Sequence, residues 1–247
     1  MIKIKVSTYS ILAALLLAGP SLSAHKVSSR KATGNSVQVH IDISHSSPTF
    51  EADNPERIKE LVEMAVCEFK SEEDQFKVFP IHANTGTSSP IVNRKGPKCL
   101  GSMVDYQIRK RWLEEMKPVM DKALNLSYPK AIGSQTNIYP LIRKIQRQIG
   151  DTRHLEVFIV SDMIHDYGDE NLAIDLLGLT RAQVIDMANN KVQQLAIKGV
   201  FKGVTVNIRV PGTILGSSLQ ERIRENVDIY WRYFFKATGA SVDIEML

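Results

Sequence analysis

Short apolar runs alternate along the chain with stretches whose apolar residues recur at helical spacing. The runs, about Ser36 to Ser44, Phe76 to Ile81, His154 to Val160, Val204 to Val210 and Val242 to Met246, predict strands. Between them, Asp53-Asn54-Pro55-Glu56 reads as a helix start: Asp53 caps, Pro55 fits the first turn and Glu56 completes a capping box. Ile58, Leu61, Val62, Ala65 and Val66 then form one buried helix face. A long amphipathic helix is expected from about Ser102 to Leu126, kinked or divided at Pro118. Further helices are expected to about Gln148 with Pro140 in the first turn, from Thr180-x-x-Gln183 to about Lys198, and from Ser218-x-x-Glu221 to Gly239. Residues 84–100, rich in Gly, Pro, Ser, Thr and Asn, read as a loop or short edge hairpin, and 164–179 as a connecting segment. Alternating strands and helices predict an α/β domain: a doubly wound, mainly parallel, Rossmann-like central sheet with helices on both faces. Right-handed crossovers then gather the strand C-termini along one edge.

Lys3 and Lys5, the apolar run Ile11 to Leu17, Gly19-Pro20 and small residues to Ala24 have the order of a secretory signal peptide, with cleavage expected after Ser23 or Ala24. An N-terminal membrane anchor is the alternative. No later segment approaches the roughly 20 apolar residues of a spanning helix. Residues 25–35 are polar and aperiodic, a flexible lead-in to a single domain over 36–247. The expected location is therefore secreted, in a bacterial periplasm. With Lys3 and Lys5 set aside, the 31 basic residues fall to 29 against 27 acidic ones, a net charge of +2. That near balance gives no support to nucleic-acid or membrane-surface binding. Cys67 and Cys99 fit one disulfide in an exported protein, stapling the 84–100 loop to the helix that carries Cys67; two free buried thiols are the alternative.

The first strand ends in Asp42-Ile43-Ser44-His45-Ser46, one carboxylate followed by two hydroxyls at spacing two. That loop lies where open α/β sheets bind ligands, and hard cations such as Mg²⁺ favour such oxygen clusters. Asp162 follows the strand His154 to Val160, and Thr136, in Gly133-Ser134-Gln135-Thr136-Asn137, precedes the helix feeding that strand. Two carboxylates and three hydroxyls thus reach a common rim. An isolated Asp-x-Ser-x-Ser is a weak signal; its position and the two later segments sharpen it. In this order the residues resemble the von Willebrand factor A domain, over about Ser36 to Leu247, and the five match that family's metal-ion-dependent adhesion site. One departure is Met163, where many members have Gly after the third motif's Asp.

The resemblance implies direct ligation of Mg²⁺ (or Mn²⁺) by Ser44 and Ser46. It implies that Thr136 binds directly or through water, and that Asp42 and Asp162 hold waters and orient the hydroxyls. It also implies a protein partner that presents Asp or Glu to the metal. The expected function is a metal-dependent adhesion or adaptor module, not an enzyme, of unspecified oligomeric state. The alternatives are a Mg²⁺-dependent phosphoester hydrolase and a structural domain with a vestigial site; the hydroxyl-rich set and the lack of a nucleophile paired with a base weigh against the first. Each residue also has a plainer role. Ser44 and Ser46 suit a turn, while Thr136 and Asp162 suit helix or loop caps. His45 is either a ligand contact or an exposed loop residue. His40 is expected to be a satisfied core histidine, and His165 and Asp166 to serve a loop. The aromatics of the last helix (Tyr230, Trp231, Tyr233, Phe234, Phe235) are expected to pack on the sheet with one face exposed, or to form a partner surface. Arg109-Lys110-Arg111 reads as a solvated face.

Overall fold

The structure, a computed structural model, describes residues 34–44, 54–67, 69–98, 105–127, 135–211 and 218–246. In chain order the elements are β1 (Asn35–Asp42), α1 (Asn54–Val66), β2 (Gln75–Ile81), β3 (Val92–Lys95), α2 (Asp105–Ser127), α3 (Tyr139–Gln148), β4 (His154–Val160), β5 (Asp166–Tyr167), β6 (Glu170–Asn171), α4 (Leu172–Asp175), α5 (Arg181–Gln194), β7 (Val204–Val210), α6 (Ser218–Thr238) and β8 (Ser241–Met246). Six strands form one sheet in the order β3-β2-β1-β4-β7-β8, and β5 pairs with β6 in a separate hairpin. Every pairing in the large sheet is parallel except β2 with β3. The expected doubly wound, mainly parallel sheet is therefore present, and the edge-hairpin alternative for 84–100 is realised as β3. The signal peptide, residues 25–33 of the lead-in, Asp53, His45, Ser46 and Cys99 lie outside the described residues, while Asn35, assigned to the lead-in, opens β1. Among the described residues no helix is long and apolar enough to cross a membrane.

Strand β1 is central and buried on both faces. Its Val37, Val39 and Ile41 pack with Ile58, Val62 and Val66 of α1 and Met116 of α2. The opposite face of the sheet carries the larger core, in which Val157, Ile159, Val206 and Ile208 meet Leu141, Ile142 and Ile145 of α3, Val184, Ala188 and Val192 of α5, and the α6 aromatics. Period-2 alternation on strands and 3.6-residue spacing on helices produce this division directly.

Several expectations are corrected. Helix α2 is not divided at Pro118. The proline is exposed, so the carbonyl that loses its amide partner lies on the solvent side, where water can serve it. Helix α5 opens on the expected Thr180/Gln183 capping box but ends at Gln194, four residues before Lys198. Ala196 takes the left-handed conformation (φ 54°), and the Ile197 N–H closes back on the Val192 carbonyl, which stops the helix. Tyr230, Trp231, Phe234 and Phe235 are fully buried in the core, and Tyr233 on the same helix is partly buried, so the aromatic surface left to solvent is confined to Tyr233. His40 is buried, with Nε2 3.2 Å from Gln38 Oε1, but its Nδ1 has no protein partner; it is a core histidine only half satisfied. Cys67 is exposed, its Sγ 2.8 Å from the Met64 carbonyl, and the pairing expected with Cys99 lies outside the described residues.

Candidate metal-binding rim

Strand register brings the site together. Ile41 of β1 lies opposite Val160 of β4, so the next residue of each strand, Asp42 and Ser161, meet at the carboxyl edge. Ser161 Oγ donates to Asp42 Oδ2 at 2.7 Å, and the Ser44 N–H donates to Asp42 Oδ1 at 2.9 Å. The Asp42 carboxylate thus holds the turn after β1 in shape and ties it to the turn after β4. Ser161 Oγ also accepts from the Met163 N–H at 2.9 Å. The sequence marked Ser161 only as Asp162's neighbour; its linking role needs the register to be seen.

The third segment arrives through α3. Thr136 Oγ1 donates to Ser44 Oγ at 2.9 Å across 92 residues of sequence. Both hydroxyls are buried, at 1% and 4% residue exposure, and so form a built contact and not a chance surface approach. Thr136 is held from behind by an antiparallel bridge to Asp166, with N–H to carbonyl distances of 3.0 and 2.9 Å. Of the five expected site residues, Asp42, Ser44, Thr136 and Asp162 are described, and the first three are joined by direct contacts; Ser46 and His45 lie outside the described residues.

Asp162 is partly buried at the same rim. Its Oδ1 accepts from the Ile164 N–H at 2.9 Å, and Arg224 of α6 donates to its backbone carbonyl at 3.4 Å. Burial first, and the nearby Asp42 charge second, push the Asp162 carboxyl up to about 7. Burial likewise raises Asp42, with the bonds from Ser161 and Ser44 opposing. Two mutually repelling, desolvated carboxylates beside two buried hydroxyls are the electrostatic situation that a hard cation relieves. Among the described residues no cluster of three or more His, Cys, Asp or Glu suits a softer metal or a multi-carboxylate site. The donor set is oxygen only, and it fits Mg²⁺ or Mn²⁺.

Met163, at the departure from the family pattern, has φ 61°, the left-handed region that favours glycine. Its side chain is buried in the larger core, and its carbonyl accepts from Trp231 Nε1 at 2.8 Å. The loop therefore keeps a glycine-like backbone shape without glycine. Asp166 bridges Thr136 through its backbone, and His165 is buried and turned toward Ile138 and Glu170. The loop role expected for them is thus a specific one, support of the Thr136 segment.

No family model and no curated protein matches the chain. Solved structures similar to it include proximal thread matrix protein 1 from the mussel byssus, at 13% identity, TM-score 0.39 and 84% of this chain. Human COPII-coat protein Sec24c is similar at 10% identity, TM-score 0.43 and 87% coverage, and manganese-loaded Plasmodium vivax TRAP protein at 13%, 0.37 and 81%. The chain spans 47%, 30% and 73% of those chains respectively, less than half of the first two. At such identities and TM-scores these likenesses carry no functional inference. The chain has a doubly wound, mainly parallel α/β fold, with carboxylates and hydroxyls gathered at the carboxyl edge of the sheet.

Proposed function

We propose that this protein is a metal-dependent protein-binding module that works outside the cytoplasm. The observation that carries the reading is the 2.9 Å contact of Thr136 Oγ1 with Ser44 Oγ, beside Asp42 and Asp162. Residues from three distant segments are thereby set around one small volume. Ser44 and Thr136 would hold the ion through neutral hydroxyl oxygens. Asp42, already bonded to Ser161 and the Ser44 amide, would fix the direction of those hydroxyls. Asp162 would balance the ion's charge from the other side of the rim. The bound ion would supply an electrophilic position able to take a carboxylate oxygen from an Asp or Glu of a partner. Binding suits this set: Asp42 is engaged by the Ser161 hydroxyl and by both the amide and the hydroxyl of Ser44, which suits it to orienting the hydroxyls around an ion. Export rests on residues 1–24.

Calorimetry with Mg²⁺ and Mn²⁺ tests the proposal. Wild-type protein is expected to bind one ion, with affinity lowered at least tenfold in Asp42→Ala. The ion-loaded protein is expected to bind an Asp- or Glu-containing partner peptide, and chelator is expected to abolish that binding. Equal affinity of the two proteins for metal would overturn the reading.

A further inference from the structure

Thr136 belongs to no long element of its own, yet its hydroxyl is held within hydrogen-bond distance of Ser44. What holds it can be traced. The antiparallel bridge fixes Thr136 to Asp166, the first residue of the β5–β6 hairpin. One residue earlier, His165 is 3% exposed, and its Nδ1 accepts the Ile138 N–H at 3.2 Å. The Ile138 amide stands at the entrance of α3, where side-chain capping by Ile138 itself is impossible. With Nδ1 accepting, the ring proton sits on Nε2, which faces Glu170 Oε2 at 3.5 Å. Glu170 in turn receives Lys191 of α5 at 2.8 Å on both oxygens. Lys191 Nζ also lies 4.3 Å from the Tyr139 ring centroid, and Tyr139 packs on the His165 ring at 4.4 Å. The His165 backbone carbonyl accepts from the Leu172 N–H at 2.8 Å, which closes the hairpin behind the ring.

Given the metal-site reading above, we propose that His165 is a positioning residue for Thr136, and that Glu170 of β6 and Lys191 of α5 brace it. The imidazole accepts the N–H of the N-cap residue Ile138, the amide that the N3 side chain serves in a capping box, and, with the Asp166 bridge, clamps the 136–138 backbone from two sides. The Thr136 hydroxyl is thereby presented to Ser44 before any ion arrives, so ordering the loop is not charged against binding.

The test uses the whole chain and Mn²⁺ as probe. His165→Asn keeps an acceptor near the Nδ1 position, whereas His165→Leu fills the space without one. Calorimetry is expected to show Mn²⁺ affinity within about twofold of wild type for Asn and weaker by about tenfold for Leu, the range seen when supporting partners of metal ligands are removed. In metal-free protein, hydrogen exchange at the Ile138 amide is expected to speed up by about tenfold in the Leu variant and to stay near the wild-type rate in the Asn variant. A role limited to packing would instead leave Leu the better replacement. Should His165→Leu fail to fold, Glu170→Gln, at a half-exposed position, is expected to weaken Mn²⁺ about threefold by loosening the ring. Wild-type Mn²⁺ binding left unchanged in both the Leu and Gln variants would overturn the positioning role. Absence of Mn²⁺ binding by wild type itself would overturn the metal reading and this role with it.

Discussion

Asp42 and Asp162 share a rim that disfavours their charges, and this has a consequence for pH. Both carboxyls are raised by burial, Asp162 to about 7. A group that holds its proton more tightly in the folded state makes folding less favourable once that proton must leave. The metal-free protein is therefore expected to be most stable below about pH 4, the ordinary carboxylate range, with respect to Asp162. It should lose that contribution as pH rises to about 7. Denaturant midpoints measured between those limits check this: Asp162→Asn should flatten the fall, and an unchanged slope would refute it. Met163 offers a second test. Its left-handed φ of 61° strains any side chain by about 1–2 kcal/mol. Its burial, by contrast, stabilises by about 2–5 kcal/mol relative to Ala. Burial wins, which is how a methionine occupies a glycine-like position. Met163→Gly should thus be less stable than wild type but about 1 kcal/mol more stable than Met163→Ala, an inversion of the usual order of Gly and Ala. Thermal melts of the three proteins decide it.

At the scale of elements, α6 anchors the site from below. Trp231 is fully buried, surrounded by Tyr139, Tyr230, Phe234 and Phe235, and its Nε1 donates to the Met163 carbonyl. Trp231→Ala should lower stability by about 3–5 kcal/mol, and Trp231→Phe by about 1–3 kcal/mol through the orphaned Met163 carbonyl alone. Chemical denaturation separates the two. The opposite edge of the sheet has its own fastening. Asp74 is buried and accepts from the Asn35 N–H at 2.8 Å and from the Lys70 and Ser71 N–H groups at 2.7 and 2.9 Å. It thereby joins the start of β1 to the turn before β2. Gly34 and Gly96 pass so close to this turn that an added Cβ would lie 2.1 Å from the Glu73 carbonyl oxygen and 2.3 Å from that of Ser71. Asp74→Ala would leave three amides without their acceptor, and a loss of about 2–4 kcal/mol is expected in the same measurement.

For the whole molecule, the rim ties folding to ligand. An ion bound only by the native state stabilises it by about 2.7 kcal/mol at a hundredfold excess over its dissociation constant. In a domain of this size that corresponds to a Tm rise of roughly 5–10 °C. Thermal shift with Mn²⁺ and with chelator measures it, and Asp42→Ala should abolish the difference. The pieces that bind are spread over the sheet: the turn after β1, the bridge into α3 and the turn after β4. Loss of the ion should therefore relax several segments together, while the two cores on either face of β1 keep the fold.

Much of this was readable from local pattern. Apolar runs marked the principal strands, the Thr180-x-x-Gln183 box marked the start of α5, and Asp42, Thr136 and Asp162 could be assigned to one rim because crossover handedness leaves the strand ends a single edge. Those signals are local because strand and helix periodicity repeats within a few residues. The β5–β6 hairpin and α4 were not legible, since two- to four-residue elements complete no period. Nor could sequence assign Ser161 to Asp42, His165 to the Ile138 amide, or a left-handed backbone to Met163. Each depends on the register of strands and loops distant in sequence, and only the packed sheet sets those distances. The residue types at the rim were determined by the sequence itself. Which atoms meet, and which charges are forced together out of water, was decided by the tertiary structure, because hydrogen bonding and desolvation act through space.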